Sequence, residues 1–226
     1  LKLVKNAQSL LGHWENLKND VILDSNELRG RYTFGMHESV ALYSISQFVP
    51  TIIQQYPELE LKFIHDHSRN LTEKVISFNL DFALVVNPIK HPDLIIREIC
   101  VDIFTLWVSP HLKTINQNTP LIYCPELVQS QSIHNRLSKS KLGLKRSITS
   151  SSIEVVKKLT MEKVGIGILP TRVANLGLKT ADSLKIYGKS APKFKDKICL
   201  VYRYDTQNIP AIKALAFDLK KLLKSL

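Results

Sequence analysis

The stretch Gly30-Arg31-Tyr32-Thr33-Phe34-Gly35-Met36-His37-Glu38-Ser39 decides the fold. Its aromatic residues and its methionine alternate with polar or small residues, which is the two-residue period of a β-strand. Apolar residues then recur every three or four positions over residues 40–52, as they do along one face of a helix. A strand therefore runs directly into a helix, and His37, Glu38 and Ser39 lie at the junction.

This junction has the features of a ligand-binding edge. Backbone N–H groups at a helix start have no partner within the helix, and they favour negative charge. In open α/β sheets, ligands bind outside the carboxyl ends of the strands. We expect residues 37–39 to form one edge of a cleft whose other edge lies on the order of a hundred residues later. The alternative is a simple helix cap, in which Ser39 or Glu38 satisfies its own backbone.

Composition is that of an ordinary globular protein. The 226 residues are 44% hydrophobic and 23% charged, enough for one large or two small domains. Charged residues interrupt every long apolar run, so no membrane span is expected. The N-terminus has no signal-peptide pattern, and a start at Leu1 suggests that an upstream segment has been removed.

The three cysteines, Cys100, Cys124 and Cys199, lie in apolar, strand-like runs. They cannot all pair within the chain, and their spacing matches no CxxC or Cys/His metal motif. We expect buried free thiols and a reducing, cytoplasmic location.

The formal net charge of +11 is unevenly distributed. Residues 1–140 carry 13 Lys and Arg against 14 Asp and Glu, whereas residues 141–226 carry 18 against 6. The basic half can attract acidic ligands or nucleic acid. Its lysines are scattered among apolar residues without interleaved aromatics, which favours a solvated surface.

The first 21 residues carry a narrow apolar stripe with alternating spacings of four and three. This is the a/d seam of a two-stranded coiled coil, and we predict a dimerising linker helix. A surface helix packed on its own domain is the alternative. The seam residues are Leu3, Ala7, Leu10, Trp14, Leu17 and Val21.

The rest of the first half repeats the strand-helix pattern. A strand at 59–63, a helix through Phe78 with Asn79 as its C-cap, and an apolar strand at 80–86 complete a β-α-β-α-β order, which predicts a parallel sheet. Two further strands are expected at 94–100 and 104–108, separated by Asp102.

A second unit is expected after a boundary at Ser109-Pro110. Strands are predicted at 121–123, 146–149 and 197–202. A polar region spans 126–139, and Ser150-Ser151-Ser152 caps a helix beginning near Ile153. Pro210 opens a terminal helix.

Four segments together resemble the effector-binding half of a LysR-type transcriptional regulator. They are Gly30-x-Tyr32-x-Phe34-Gly35, Gln55–Leu61, Phe78–Leu84 and Val164-Gly165-Ile166-Gly167-Ile168-Leu169-Pro170. Residues 1–21 match the linker helix of that family. Asn79 and Ser46 depart from the family's usual Gly and Pro.

The resemblance implies an α/β fold of the periplasmic-binding-protein type II kind. Two Rossmann-like subdomains, joined by two crossover strands, follow a linker helix at 1–27. Subdomain I would hold 28–107 and 203–226, and subdomain II 108–202. A DNA-binding domain would precede Leu1, so that DNA is contacted only through that part. A homodimer or homotetramer is expected.

The resemblance also implies which residues line the cleft between the subdomains. A small anion or an amino acid is the expected effector, because hydroxyls and helix N-termini hold a carboxylate or phosphate. Arg69 either adds a bidentate clamp or is a solvated residue at a helix start. The cleft residues are His37, Glu38, Ser39, Ser68, Arg69, Tyr123 (with the exit to Glu126), Thr149, Ser150 and Ser151.

A group of titratable residues goes beyond the resemblance. His37 and Glu38 follow one strand, and His65, Asp66 and His67 end the next. In a parallel sheet these strand ends can be neighbours, and His65 and His67 project to one face because strand side chains repeat every two residues. Such a group can bind a divalent metal or sense pH near 6 to 7, or it can be ordinary polar residues at strand ends.

Two other classes of protein are alternatives to a regulator. A transport-type solute-binding protein has the same fold but should carry an export signal and lack the coiled-coil seam. An enzyme is not expected, because the chain has no nucleophile elbow, H-E-x-x-H or P-loop motif. Gly165 and Gly167 lack the third glycine of a dinucleotide fingerprint, and Pro170 disfavours a following helix interior. No cofactor is expected.

Overall fold

The computed structural model describes Leu3, Ala7, Leu10 and Trp14 and residues 29–138, 144–177, 183–188 and 190–223. The chain divides into two compact units. Unit 1 comprises Leu1–Cys100 and Lys197–Leu226, and unit 2 comprises Val101–Asp196. Two strands, β4 (Leu94–Val108) and β9 (Phe194–Arg203), pass from one unit to the other. The subdomain boundaries expected after residues 107 and 202 lie further along these same two strands.

Unit 1 contains the β-α-β-α-β order that the sequence predicts. Its sheet has the order β2-β1-β3-β9, with β1 parallel to both neighbours and β3 antiparallel to β9. The elements are β1 (Gly30–Met36), α1 (Glu38–Gln55), β2 (Leu59–His65), α2 (Ser68–Ile76), β3 (Phe82–Val86), the first part of β4, the last part of β9 and α6 (Pro210–Leu222). The predicted parallel arrangement is confirmed.

Because side chains alternate along β1, successive residues face the two opposite sides of the sheet. Phe34 makes edge-on ring contacts with Phe48 of α1, at 5.8 Å between centroids. Gly35 faces the opposite layer, where an added Cβ would lie 2.5 Å from a Leu80 methyl and 2.9 Å from a Leu71 methyl. Glycine therefore lets α2 pack closely on the sheet behind the strand.

The end of α2 differs from the expectation. The helix ends at Ile76, and Phe78 adopts a left-handed conformation with φ of 59°. Asn79 N–H donates to the carbonyl of Lys74 at 2.8 Å, and Phe78 N–H donates to that of Val75 at 3.2 Å. These two bonds form a Schellman motif, so the prediction of Asn79 as the C-cap is wrong.

Arg203 of β9 contacts the C-terminal end of α2. Its guanidinium lies 3.8 Å from the centroid of the Phe78 ring, and its Nη1 donates to the carbonyl of Ile76 at 2.7 Å. The remaining guanidinium nitrogens are bonded to the Asp205 carboxylate. The returning segment thus satisfies a helix carbonyl that would otherwise lack a partner.

In unit 2 the strands β5 (Leu121–Tyr123), β6 (Ser147–Thr149) and β7 (Ile166–Pro170) follow the order β4-β7-β5-β6, and β8 (Lys185–Ile186) pairs with β4. β5 is parallel to β6 and β7, and β4 is antiparallel to β7. The elements are the last part of β4, β5 (Leu121–Tyr123), α3 (Val128–Ser138), β6 (Ser147–Thr149), α4 (Ile153–Met161), β7 (Ile166–Pro170), α5 (Thr171–Asn175), β8 (Lys185–Ile186) and the first part of β9.

Three elements of the middle segment differ from the predictions. β4 is one continuous strand through Asp102, whose carboxylate accepts from its neighbour Ile103 N–H at 2.7 Å. The region expected to be merely polar contains α3. A short helix, α5, starts directly after Pro170, whose extended backbone is compatible with an N-cap position.

The Gly165-x-Gly167 pattern serves packing in unit 2. A Cβ on Gly165 would lie 2.2 Å from the backbone carbonyl oxygen of Pro120, and one on Gly167 would lie 2.2 Å from Oγ1 of Thr160. The first glycine lets β7 approach the start of β5, and the second lets α4 approach β7. This accounts for the pattern without a phosphate ligand.

Part of the predicted linker helix lies within the described residues. Leu3, Ala7, Leu10 and Trp14 are helical and exposed, whereas Leu17 and Val21 lie outside the described residues. Across the described part of the chain, no helix is both long enough and apolar enough to cross a membrane.

Candidate functional site

In unit 1 the predicted junction residues lie at the carboxyl edge of the sheet. Met36, the last residue of β1, pairs with His65 of β2 and with Leu84 of β3. His37 follows as the N-cap residue of α1, and its N–H donates to the carbonyl of Leu84 at 3.1 Å. The parallel sheet therefore holds the start of α1 beside the ends of two other strands.

His37 and Ser39 form a hydrogen-bonded pair at this edge. Nδ1 of His37 and Oγ of Ser39 lie 2.8 Å apart, and Ser39 is 6% exposed. No side chain caps the helix from His37, and the Ser39 hydroxyl contacts the imidazole. The simple cap considered from the sequence is therefore not what forms, and exposed Glu38 occupies the first turn.

Burial keeps His37 neutral at neutral pH. Desolvation, followed by the nearby His67, lowers the pKa of His37 from 6.5 to about 4, and Asp66 opposes this shift. The hypothesis of a pH sensor near 6 to 7 is therefore wrong for His37 in the ligand-free protein.

His67 begins α2 as His37 begins α1. It is the N-cap residue, its side chain does not cap the helix, and its ring centroid lies 6.2 Å from that of His37. β2 ends at His65, so the argument that His65 and His67 share a strand face does not apply. His37 and His67 lie close because β1 and β2 are paired in parallel, so that the helices after them start side by side.

The other two predicted residues of α2 have local partners. Oγ of Ser68 accepts from the N–H of Val86 at 2.9 Å, which holds the end of β3. The Arg69 side chain is 79% exposed, and its Nε lies 3.2 Å from Oε1 of Glu73 one turn later. Arg69 thus has the solvated arrangement that was the alternative to a ligand clamp.

The five titratable residues do not form the metal site considered from the sequence. Asp66 accepts from Lys74 Nζ at 2.7 Å and from Asn70 at 2.8 Å, and its pKa falls to about 2, chiefly because of the bond from Lys74. His65 directs Nδ1 toward the carbonyl of Met36 at 3.3 Å. Among the described residues, which include all five, no three His, Cys, Asp or Glu side chains are arranged to hold a metal.

In unit 2 the predicted residues also gather at a carboxyl strand edge. Tyr123 of β5 pairs with Thr149 of β6, and Ser150 N–H donates to the carbonyl of Tyr123 at 3.1 Å. Ser152 is the helix cap, because its Oγ accepts from Val155 N–H. The exposed Thr149 and Ser151 therefore precede α4 without capping it.

His134 is a neighbour of this edge that the sequence did not indicate, whereas Cys124 lies on the exit from β5 that the sequence did indicate. The Tyr123 ring stacks on His134 of α3, with centroids 4.9 Å apart. Cys124 is buried and its thiol donates to Glu126 at 3.2 Å; burial, then this bond, raises its pKa to about 11. The sparse apolar residues of α3 gave no signal that a histidine would face Tyr123.

Comparison with known proteins identifies the family. The family described as "LysR substrate binding domain" matches residues 25–222. The HTH-type transcriptional regulator BbuR of Bordetella bronchiseptica is 24% identical over 177 residues, which cover 74% of this chain and 54% of BbuR. The chain thus spans about half the length of that relative.

Solved structures share the fold. The reduced form of the regulatory domain of OxyR2 from Vibrio vulnificus has a TM-score of 0.67 at 16% identity, covering 88% of this chain and 99% of that domain. The reduced OxyR regulatory domain from Pseudomonas aeruginosa has a TM-score of 0.65 at 13% identity, covering 88% and 100%. The matching family is the LysR substrate binding domain and BbuR is a transcriptional regulator, so the transport protein is not favoured. The chain belongs to the LysR substrate binding domain family and is an effector-sensing regulatory domain of the LysR type.

Proposed function

We propose that a small anionic effector or amino acid binds at the carboxyl edge of unit 1, against His37 and Ser39. The observation that carries this proposal is the hydrogen bond between half-buried His37 and buried Ser39 at the start of an 18-residue helix. A serine hydroxyl and unpaired backbone N–H groups stabilise a carboxylate or phosphate without a full counter-charge.

The edge of unit 2, taken by itself, is proposed as a second effector contact. Thr149 and Ser151 present exposed side chains there, and Tyr123 is held in place by His134. Glu38, Ser68 and Arg69 are weaker members of the proposed set, because Ser68 and Arg69 already have partners within unit 1.

At the scale of the whole protein, we propose that the chain is the regulatory part of a cytoplasmic, DNA-binding regulator that works as a homodimer or homotetramer. The similarity to BbuR, an HTH-type regulator, supports this role, and DNA would be contacted by another part of the protein. Effector binding would regulate by favouring one conformation, which requires a higher affinity for that conformation. We propose no catalytic role for this chain.

A thermal-shift screen with small carboxylates, amino acids and phosphates tests the site. A ligand at a hundred times its Kd adds about 2.7 kcal/mol to the free energy of unfolding, which raises the midpoint measurably. We expect Ser39→Ala and Thr149→Val to reduce the shift. Ser46→Ala, at an exposed position of α1, is the matched control. A ligand shift that survives Ser39→Ala unchanged contradicts the site.

A further inference from the structure

Two imidazoles lie side by side at the proposed effector edge. His37 and His67 are both N-cap residues with extended backbones, and neither side chain caps its own helix. Their ring centroids are 6.2 Å apart, with an angle of 51° between the ring planes. Because Nδ1 of His37 bonds to Ser39, Nε2 is the atom that this ring can offer to a ligand.

Among the residues that the structure describes, the charged and titratable groups around the pair do not supply a free counter-ion. Asp66, on the link between β2 and α2, is bonded to Lys74 at 2.7 Å. His65 at the end of β2 is directed to a backbone carbonyl, and Glu38 on α1 is exposed. A proton placed on half-buried His37 would therefore meet a loss of hydration and an unfavourable interaction with His67.

We propose that a small oxyanion, a carboxylate or a phosphate-type group, binds against His37 and His67 together with a proton from solvent, so that effector binding strengthens as pH falls. The inference rests on the proposed function, because it places the effector at the same edge. An anion bound there offsets both the repulsion between the two imidazoles and the unfavourable burial of the positive charge on His37. The starts of α1 and α2 add their partial positive charges on the same side.

The linkage between proton and anion fixes the direction of the effect. Without a ligand, burial and His67 hold the pKa of His37 at about 4, so the ring is neutral near pH 7. An anion that raises this pKa must, by reciprocity, bind more tightly to the protonated ring. Affinity then rises by up to about tenfold per pH unit between the bound-state and free-state pKa values.

Calorimetric titration with sulfate tests the inference, because sulfate keeps its charge between pH 5 and 7.5. At constant ionic strength, we expect sulfate affinity to increase by about tenfold or more from pH 7.5 to 5.5. The binding heat should vary with the ionisation enthalpy of the buffer, which reports proton uptake. His37→Gln should abolish the pH dependence. His67→Gln, at an exposed position, should weaken it, which tests the pair if the first variant fails to fold.

His91→Gln, a histidine outside the pair, is the matched control and should retain the pH dependence. Sulfate binding that is unaffected by pH, without proton uptake, but is lost in Ser39→Ala, overturns the proton linkage and leaves the proposed site standing. Absence of sulfate binding at every pH also overturns the inference. A screening ligand that loses binding in Ser39→Ala would still support the proposed function in that case.

Discussion

At the scale of the residue, His37 is a half-buried histidine whose pKa is lowered by desolvation, and this reduces the stability of the protein in acid. The unfolded chain has the ordinary histidine pKa of 6.5, whereas folding lowers the pKa to about 4. Between these values the unfolded chain binds more protons, so the free energy of unfolding falls as pH falls, by up to about 3 kcal/mol. Urea denaturation from pH 7.5 to 4.5 measures this slope, and His37→Gln should reduce it.

Other groups can be separated from this effect. Asp66, with its pKa lowered to about 2, loses its contribution only below the ordinary aspartate value of 3.8, outside this pH window. Burial raises the pKa of Asp102, which acts in the opposite direction. The difference between wild type and His37→Gln therefore isolates the histidine. An equal slope in both proteins, with His91→Gln as control, would show that His37 is not responsible.

The thiols give a second residue-scale prediction. Burial raises the pKa of both Cys124 and Cys199 to about 11, so the reactive thiolate is scarce at neutral pH. We expect a maleimide at pH 7.5 to modify these two residues much more slowly in the native protein than in urea, as read by mass spectrometry. Half-buried Cys100 is the internal comparison. Rapid native labelling of Cys124 would contradict the predicted protection.

The sequence predicts some of these residue neighbours and not others. The strand-to-helix junction predicts that His37 and Ser39 lie at one helix start, but the hydrogen bond between them was not predicted. The approach of His67 to His37 follows from the parallel pairing of β1 and β2, as the sequence predicts, whereas the shared strand face of His65 and His67 is wrong because β2 ends at His65. The stacking of His134 on Tyr123 depends on the placement of a helix that the sequence pattern did not reveal.

At the scale of the element, the end of α2 contains a non-glycine residue in a left-handed conformation. Phe78 has φ of 59°, where a side chain costs roughly 1–2 kcal/mol. Phe78→Ala and Phe78→Gly both lose the ring contact with Arg203, but only glycine relieves the backbone. We expect the Gly variant to be more stable than the Ala variant by about 1 kcal/mol in urea denaturation.

Ser77 provides the control for this comparison. Its φ of −88° suits any residue, so Ser77→Gly should be less stable than Ser77→Ala. The order of the Ala and Gly variants thus reverses between two adjacent positions. If Ala and Gly rank alike at both positions, the strain assigned to Phe78 is absent.

The spacing of apolar residues predicts elements with a clear period better than it predicts short or polar elements. The parallel strands of unit 1 and the helix opened by Pro210 were predicted because their apolar periods are clear. α3 was missed because Ile133 and Leu137 are its main buried apolar residues, and β4 was divided because Asp102 looked like a break. The carboxylate of Asp102 is accommodated by backbone N–H groups, which the pattern does not show.

At the scale of the whole molecule, the chain leaves unit 1 in β4, builds unit 2, and returns in β9. The return places Arg203 on the end of α2, more than a hundred residues earlier in the sequence. No local period reveals that the chain returns to the first unit; the resemblance to a known family predicted this for residues 203–226, whereas the returning part begins at Lys197. The basic second half likewise spans parts of both units, so its charge does not define a domain.

The exposed N-terminal seam gives the prediction that concerns assembly. Leu3, Leu10 and Trp14 are helical and 83%, 71% and 59% exposed, which is unfavourable for apolar side chains unless another surface covers them. The same seam on a second copy of the chain would cover these side chains through the a/d packing of a coiled coil. We expect Leu3→Lys with Leu10→Lys to raise the dimer Kd by about tenfold or more, equivalent to at least about 1.4 kcal/mol, in sedimentation velocity. Phe217→Lys, on an equally exposed apolar position of α6, should leave the Kd unchanged; if it alone disrupts the dimer, the seam is not the interface.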